Sequence, residues 1–138
     1  MVDPVAAIIQ RLKATPAVVQ AVGQADWISD QRPADAEPNR RHVAVLSAGG
    51  LGNHPDLPLN TRRVDIFCYG ETAYAANLVA GAVYAALIPP SRRTAFVAAG
   101  VRVYHIAEVG GLTDLVDEGW PMSWGRFEVA FYEVPQGA

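Results

Sequence analysis

The residues of this 138-residue chain with types suited to chemistry are three histidines, one cysteine and a cluster of glycines. His54-Pro55-Asp56 puts an imidazole two residues from a carboxylate, the smallest arrangement able to help hold a divalent cation or pass a proton. A metal site needs further ligands, and no thiol or second imidazole stands beside this pair, so it reads as turn polarity. His105 belongs to the alternating run Val101, Val103, His105, Ala107 and Val109, which puts it on the core face as a structural histidine. His42, next to Arg40-Arg41, reads as a solvated strand start. Cys68 follows Ile66 on the apolar side of a strand with no His or Asn spaced to activate it, so a buried, inert thiol is expected. Gly49-Gly50-Leu51-Gly52 has the look of a phosphate cradle but lacks the Lys-Ser/Thr of a P-loop, and Pro55 and Pro58 follow where a helix would have to begin. Ser47 and Ser123 have no nucleophile-elbow context. The expectation is a non-enzymatic chain with no cofactor and no metal.

Charge placement is what remains. Arg40-Arg41, Arg62-Arg63 and Arg92-Arg93 fall near element ends, while Asp114, Asp117 and Glu118 gather with Trp120 in a late segment. Such charges are most simply solvated surface. Opposite signs on different loops also suit a head-to-tail contact between copies, so Arg62, Arg63, Arg92, Arg93, Asp114, Asp117, Glu118 and Trp120 are the candidate interface residues. Phe67, Tyr69, Tyr104, Trp124 and Tyr132 alternate away from the aliphatic core positions, which gives the second face of a sheet an aromatic character.

The elements that must position these groups are legible from periodicity. Asp3-Pro4 opens a short amphipathic helix through Val5, Ile8, Ile9 and Leu12, Thr15-Pro16 interrupts it, and a second short piece ends at Gly23. Residues 3–23 form a helical arm and 24–41 a long loop, with at most a short strand around Trp27-Ile28. His42 to Ser47 and Thr61 to Tyr69 read as an antiparallel strand pair joined by a long glycine- and proline-rich loop, 48–58. Glu71 to Ile88 is the strongest helix, rich in alanine and apolar nearly all round, which predicts burial on more than one side. Val101 to Val109 and Met122 to Val134 alternate as two more strands, with Gly110 to Pro121 as the loop between them. The expected fold is one α+β domain: a mostly antiparallel four-stranded sheet against an N-terminal helix and a central Ala-rich helix, the sheet and main helix occupying 42–134.

Composition narrows the function classes. Hydrophobic residues make up 51% and charged residues 18%, and net charge is −3, so no chain-wide positive field favours non-specific nucleic-acid binding. A single cysteine forms no internal disulfide. Apolar runs break well before the roughly 18 residues of a membrane span, and Met1-Val2-Asp3-Pro4 lacks the basic start of a signal peptide, so neither membrane nor export is expected. Ten of the eleven basic residues are Arg, which a GC-rich genome produces as readily as an interface does.

Taken in order, Gly49-Gly50-Leu51-Gly52 with Pro55 and Pro58, then Arg63-Val64-Asp65-Ile66-Phe67-Cys68-Tyr69-Gly70, then the Ala-rich helix from Thr72 to Leu87, resembles the tail terminator (tail completion) proteins of long-tailed bacteriophages, especially those of actinobacteria. The N-terminal helix and a closing strand like Arg126 to Val134 extend the resemblance, while 26–41 and 114–121 depart from it. The resemblance implies a structural virion protein, assembled in the host cytoplasm, that forms a homohexameric ring at the head-proximal end of the tail. Its implied partners are copies of itself, the tail tube protein and the head-tail connector, with DNA passing through the lumen. Two alternatives stay open: another neck or minor tail component, and a small ligand-binding or enzymatic α+β domain using the 49–58 loop.

Overall fold

The computed structural model describes residues 4–31, 40–53, 60–91, 93–117 and 120–133, with side-chain surroundings for all of these except 50–53, 111–117, 120 and 133. The arm consists of α1 (Pro4–Lys13) and α2 (Pro16–Val22). They break at Thr15, whose hydroxyl donates back to the Arg11 carbonyl at 2.8 Å while Pro16 starts the next helix. Gly23 ends α2 at φ +111°, a conformation that side chains with a Cβ resist. A single 3-10 turn at Ala25–Trp27 leads into the two-residue strand β1 (Ile28–Ser29). Then follow β2 (His42–Asn53), β3 (Asn60–Tyr69), α3 (Ala73–Leu87), β4 (Phe96–Ala98), β5 (Val101–Asp117) and β6 (Trp120–Glu133).

The sheet has six strands in the order β1-β2-β3-β6-β5-β4, not four. The added strands are the short edges: β1 runs parallel to β2 at Val43 and Ala44, and β4 pairs antiparallel with Val101–Val103 of β5. Three residues or fewer carry too little alternation to be read from sequence. Each neighbouring pair among the four long strands is antiparallel, so the α+β class stands.

Two expected loops prove to be strand. Most of the glycine-rich stretch belongs to β2, which stays paired with β3 as far as Asn53↔Asn60 by way of register breaks at Ser47/Gly50 and Gly50/Gly52. Gly49 takes φ +103° there, which is why glycine is used. The tip of the connection, with His54 and Asp56, lies outside the described residues. Likewise 110–121 is a long hairpin rather than a loop: β5 and β6 remain paired up to Asp117↔Trp120, with breaks at Glu108/Gly110 and Gly110/Thr113. Glycine in these stretches marks bulges in continuous strands.

A third break, between Val103 and His105, shifts β5 by one residue relative to a strict alternation. His105 is therefore exposed and Ile106 takes the buried position, reversing the expected orientation. His42 also differs from expectation. It is buried, with Nε2 3.0 Å from the Gln31 carbonyl and 3.3 Å from Ser29 Oγ, because β1 packs alongside the start of β2.

All three helices cover one face of the sheet. Val5, Ile8 and Leu12 of α1, Val18 and Val22 of α2, and Val79, Val83 and Leu87 of α3 share a single core with Val43, Val45, Val64, Ile66, Phe127, Val129 and Phe131 of the strands. Fully burying such side chains stabilises by roughly 1.5–3 kcal/mol each before chain entropy is counted. Thr72 caps α3, its hydroxyl accepting from the Ala75 amide at 3.1 Å. Glu71 stands just outside the helix and binds Arg41 rather than supporting the helix dipole. The helix is buried on one side only: Tyr74 and Leu78 are 73% and 45% exposed, and a Cβ on Gly81 would meet nothing within 4 Å. Gly70 lets the chain turn from β3 into α3 against the helix backbone, and its amide donates to the Pro121 carbonyl at 3.1 Å.

Candidate interaction surface

Strand alternation sends a second set of side chains to the face that no described helix covers. Between β3 and β6 that face is built as successive cross-strand rungs: Arg63 opposite Glu128, Asp65 opposite Arg126, Phe67 opposite Trp124 and Tyr69 opposite Met122. The charged rungs lie toward one end and the aromatic rungs toward the other.

Asp65 and Arg126 form a two-point ion pair, with Nε donating to Oδ1 at 2.7 Å and Nη2 to Oδ2 at 3.1 Å. The hydrogen bond from Arg126 to Asp65, followed by the charge of that carboxylate, raises the guanidinium pKa above its ordinary value. The Arg126 guanidinium also lies 5.5 Å from the centre of the Trp124 ring, which stacks with Phe67 at 6.4 Å and 21° between planes. Tyr69 is buried with Ala44 against Phe67 and Met122, and its ring meets His42 edge-on at 6.4 Å. Arg63 Nε and Trp124 Nε1 are shielded from water and have no hydrogen-bond partner among the described residues. The face is thus preorganised by its own pairs, and most of its side chains are half-buried.

The expected interface residues separate on this framework. Arg62 and Arg63 are the third and fourth residues of β3 and point to opposite faces. Arg62 lies on the helix side with its guanidinium 5.9 Å from the Phe131 ring, and Arg63 lies on the open face. Arg93 is exposed after α3, its amide donating to Ser91 Oγ at 3.4 Å. Asp114, Asp117 and Trp120 fall in the paired backbone of the β5-β6 hairpin, opposite Ser123, Trp120 and Asp117 respectively. Their side chains, like Arg92 and Glu118 altogether, lie outside the described residues. Arg40 and Arg41 serve the fold: Arg41 bonds Glu71 at 2.9–3.2 Å and the Ala21 carbonyl at 3.0 Å, and Arg40 lies 4.9 Å over the Trp27 ring. The Arg41 hydrogen bond holds Glu71 below the usual carboxylate pKa.

One feature escaped the sequence reading. A cleft of about 310 Å³ between the end of α3 and β5 contains Thr94, His105 and Glu108, with Tyr84 Oη donating to Glu108 Oε2 at 2.6 Å. Only the β5 bulge brings these groups together, and a bulge leaves no clear mark in an alternating run. Cys68 is buried as expected, and burial pushes its thiol up to about 12. Among the described residues no three His, Cys, Asp or Glu side chains converge as metal ligands, and no helix is long and apolar enough to cross a membrane.

No family model and no curated protein matches the sequence. Among solved structures, a chain from the virion of a native gene transfer agent particle superposes with a TM-score of 0.65 at 16% identity, covering 92% of this chain and 92% of that one. The likeness runs through nearly the full length of both, and this protein therefore has the fold of that virion chain.

Proposed function

We propose that the chain is a structural virion protein that forms a ring ending the tail tube of a phage-like particle and joining it to the head connector. The observation that carries this reading is the end-to-end fold likeness to a chain of a gene transfer agent virion. The resemblance of the Gly49 to Leu87 region to tail terminators supplies the position in the tail and the ring of six. A terminator has to bind one end of a polymer without presenting the polymerising surface again, so it needs extended interfaces and no reaction centre. The open sheet face, with two charged and two aromatic rungs, is an interface of that kind. Its partners are copies of itself, the tube protein and the connector, and DNA passes through the lumen without being held.

The test is native mass measurement of the purified chain, alone and with its tube protein. A discrete ring mass and a fixed stoichiometry per tube end are expected. Arg62→Glu with Arg63→Glu should lower the ring fraction more than it lowers the melting temperature. A stable monomer that ignores the tube would refute the proposal, and intact rings with a lower melting temperature would remove the two arginines from the contact.

A further inference from the structure

The two sides of the sheet are left open at the same height. On one side, β1 covers β2 at Val43 and Ala44, and among the described residues nothing pairs with its outer edge from Val45 to Asn53. On the other, β4 covers β5 at Val101–Val103 and Thr94 Oγ1 accepts from the Ile106 amide at 3.1 Å, and among the described residues no strand pairs with its outer edge from Ala107 onward. Following the register across the sheet, Val43 and Ala44 lie level with Ser123 and Trp124, hence with Thr113 and Asp114 of β5. Val103 lies level with Phe131, hence with Asn60 and Asn53, and Val101 and Arg102 lie level with Glu133 and Tyr132. The two short strands thus cap opposite ends, and the bare middle of β2 is level with the open stretch Ala107–Gly110 of β5. Ser47, through Val64 and Phe127, is level with Glu108.

Long bare edges are templates for further pairing, and soluble proteins usually cover them. Three antiparallel steps separate β2 from β5, so the two edges run in opposite directions. A second copy in the same orientation would therefore set its β2 antiparallel to the first copy's β5 and present a fresh β5 beyond it. That contact is head-to-tail, and it closes into a ring when the rotation per copy is right. The bulges in both edge strands bend them, which supplies curvature.

We infer that the occupant of these edges is a second copy of this chain: β2 of one subunit pairs antiparallel with β5 of its neighbour through Val45–Ser47 and the region of Glu108, so that one continuous sheet runs around the ring. This assignment rests on the ring reading and specifies its contact.

Cross-linking tests it. Ser47 and Glu108 are both exposed, and native Cys68 is buried with a thiol pushed up to about 12, so it stays silent. The full-length double variant Ser47→Cys with Glu108→Cys, treated with a short bis-maleimide, should give a covalent ladder ending at the ring mass. Either single variant, and Ser47→Cys with Gln10→Cys on α1, should give no ladder; circular dichroism and native mass check that each variant keeps the parent fold and assembly. A ring mass without a ladder overturns the edge pairing and leaves the ring standing. Dimers from a single variant overturn it as well, because they require like edges to meet. A chain that stays monomeric even with the tube protein overturns the ring reading itself.

Discussion

Two glycines, one at the junction of β3 and α3 and one within α3, should respond to the same substitution with opposite signs. A Cβ on Gly70 would come within 2.8 Å of the Ala75 carbonyl carbon and 2.9 Å of Ala75 Cβ, and it would also press on the Ala76 amide nitrogen. These are atoms of the first turn of α3, whose cap and buried face fix it in place, so the helix would have to back away from β3. Overpacking of this kind costs about 1–3 kcal/mol, and contact with backbone puts Gly70→Ala at the upper end. With an unfolding entropy of roughly 2.1 cal/mol/K per residue, 3 kcal/mol lowers the melting temperature by about 10 °C. Gly81 lies in the middle of α3, where a Cβ meets nothing within 4 Å. Gly81→Ala should gain about 0.5–1 kcal/mol by lowering the entropy of the unfolded chain, a rise of about 2–3 °C. Thermal unfolding followed by circular dichroism reads both. Equal melting temperatures for Gly70→Ala and the parent would refute the close approach of β3 to α3, and a loss of stability in Gly81→Ala would refute the open helix face.

Thr72→Ala removes the oxygen that accepts from the Ala75 amide and should cost about 1 kcal/mol in denaturant unfolding, with Thr72→Ser restoring most of it. His42 is held below its ordinary value of 6.5, chiefly by burial, so the folded state binds fewer protons than the unfolded state. The stability it contributes is complete above 6.5 and is lost as pH falls through the lower folded value. The melting temperature should drop as pH is taken from about 7 to about 5, and His42→Gln should flatten that slope. An unchanged slope in the variant would place the titration elsewhere.

The sequence announced the long elements because each carries its own period. α1 repeats Val5, Ile8 and Leu12 on one buried side, and β6 alternates Phe127, Val129 and Phe131 into the core. What it hid were features decided by pairing partners. Gly49, Gly50 and Gly110 look like turn residues when only local propensity is weighed, yet cross-strand hydrogen bonding carries the strands past them as bulges. His105 followed the same error, since one inserted residue after Val103 exchanges the faces of the residues up to the next break at Glu108/Gly110. The open face was partly legible: Arg63, Asp65, Phe67 and Tyr69 alternate visibly. Their matching to Glu128, Arg126, Trp124 and Met122 depends on a register between distant segments, which no local pattern encodes.

The central β3-β6 pairing also governs how the molecule comes into being. Asn60–Tyr69 finds its second partner only in Met122–Phe131, so on a ribosome the β2-β3 hairpin and α3 are complete while the inner edge of β3 still waits for β6. Contacts between such distant segments slow folding, and an edge left waiting can recruit the wrong partner. Completing β6 is therefore the step that closes the sheet, and until then β3 carries one unpaired edge in the middle of the fold.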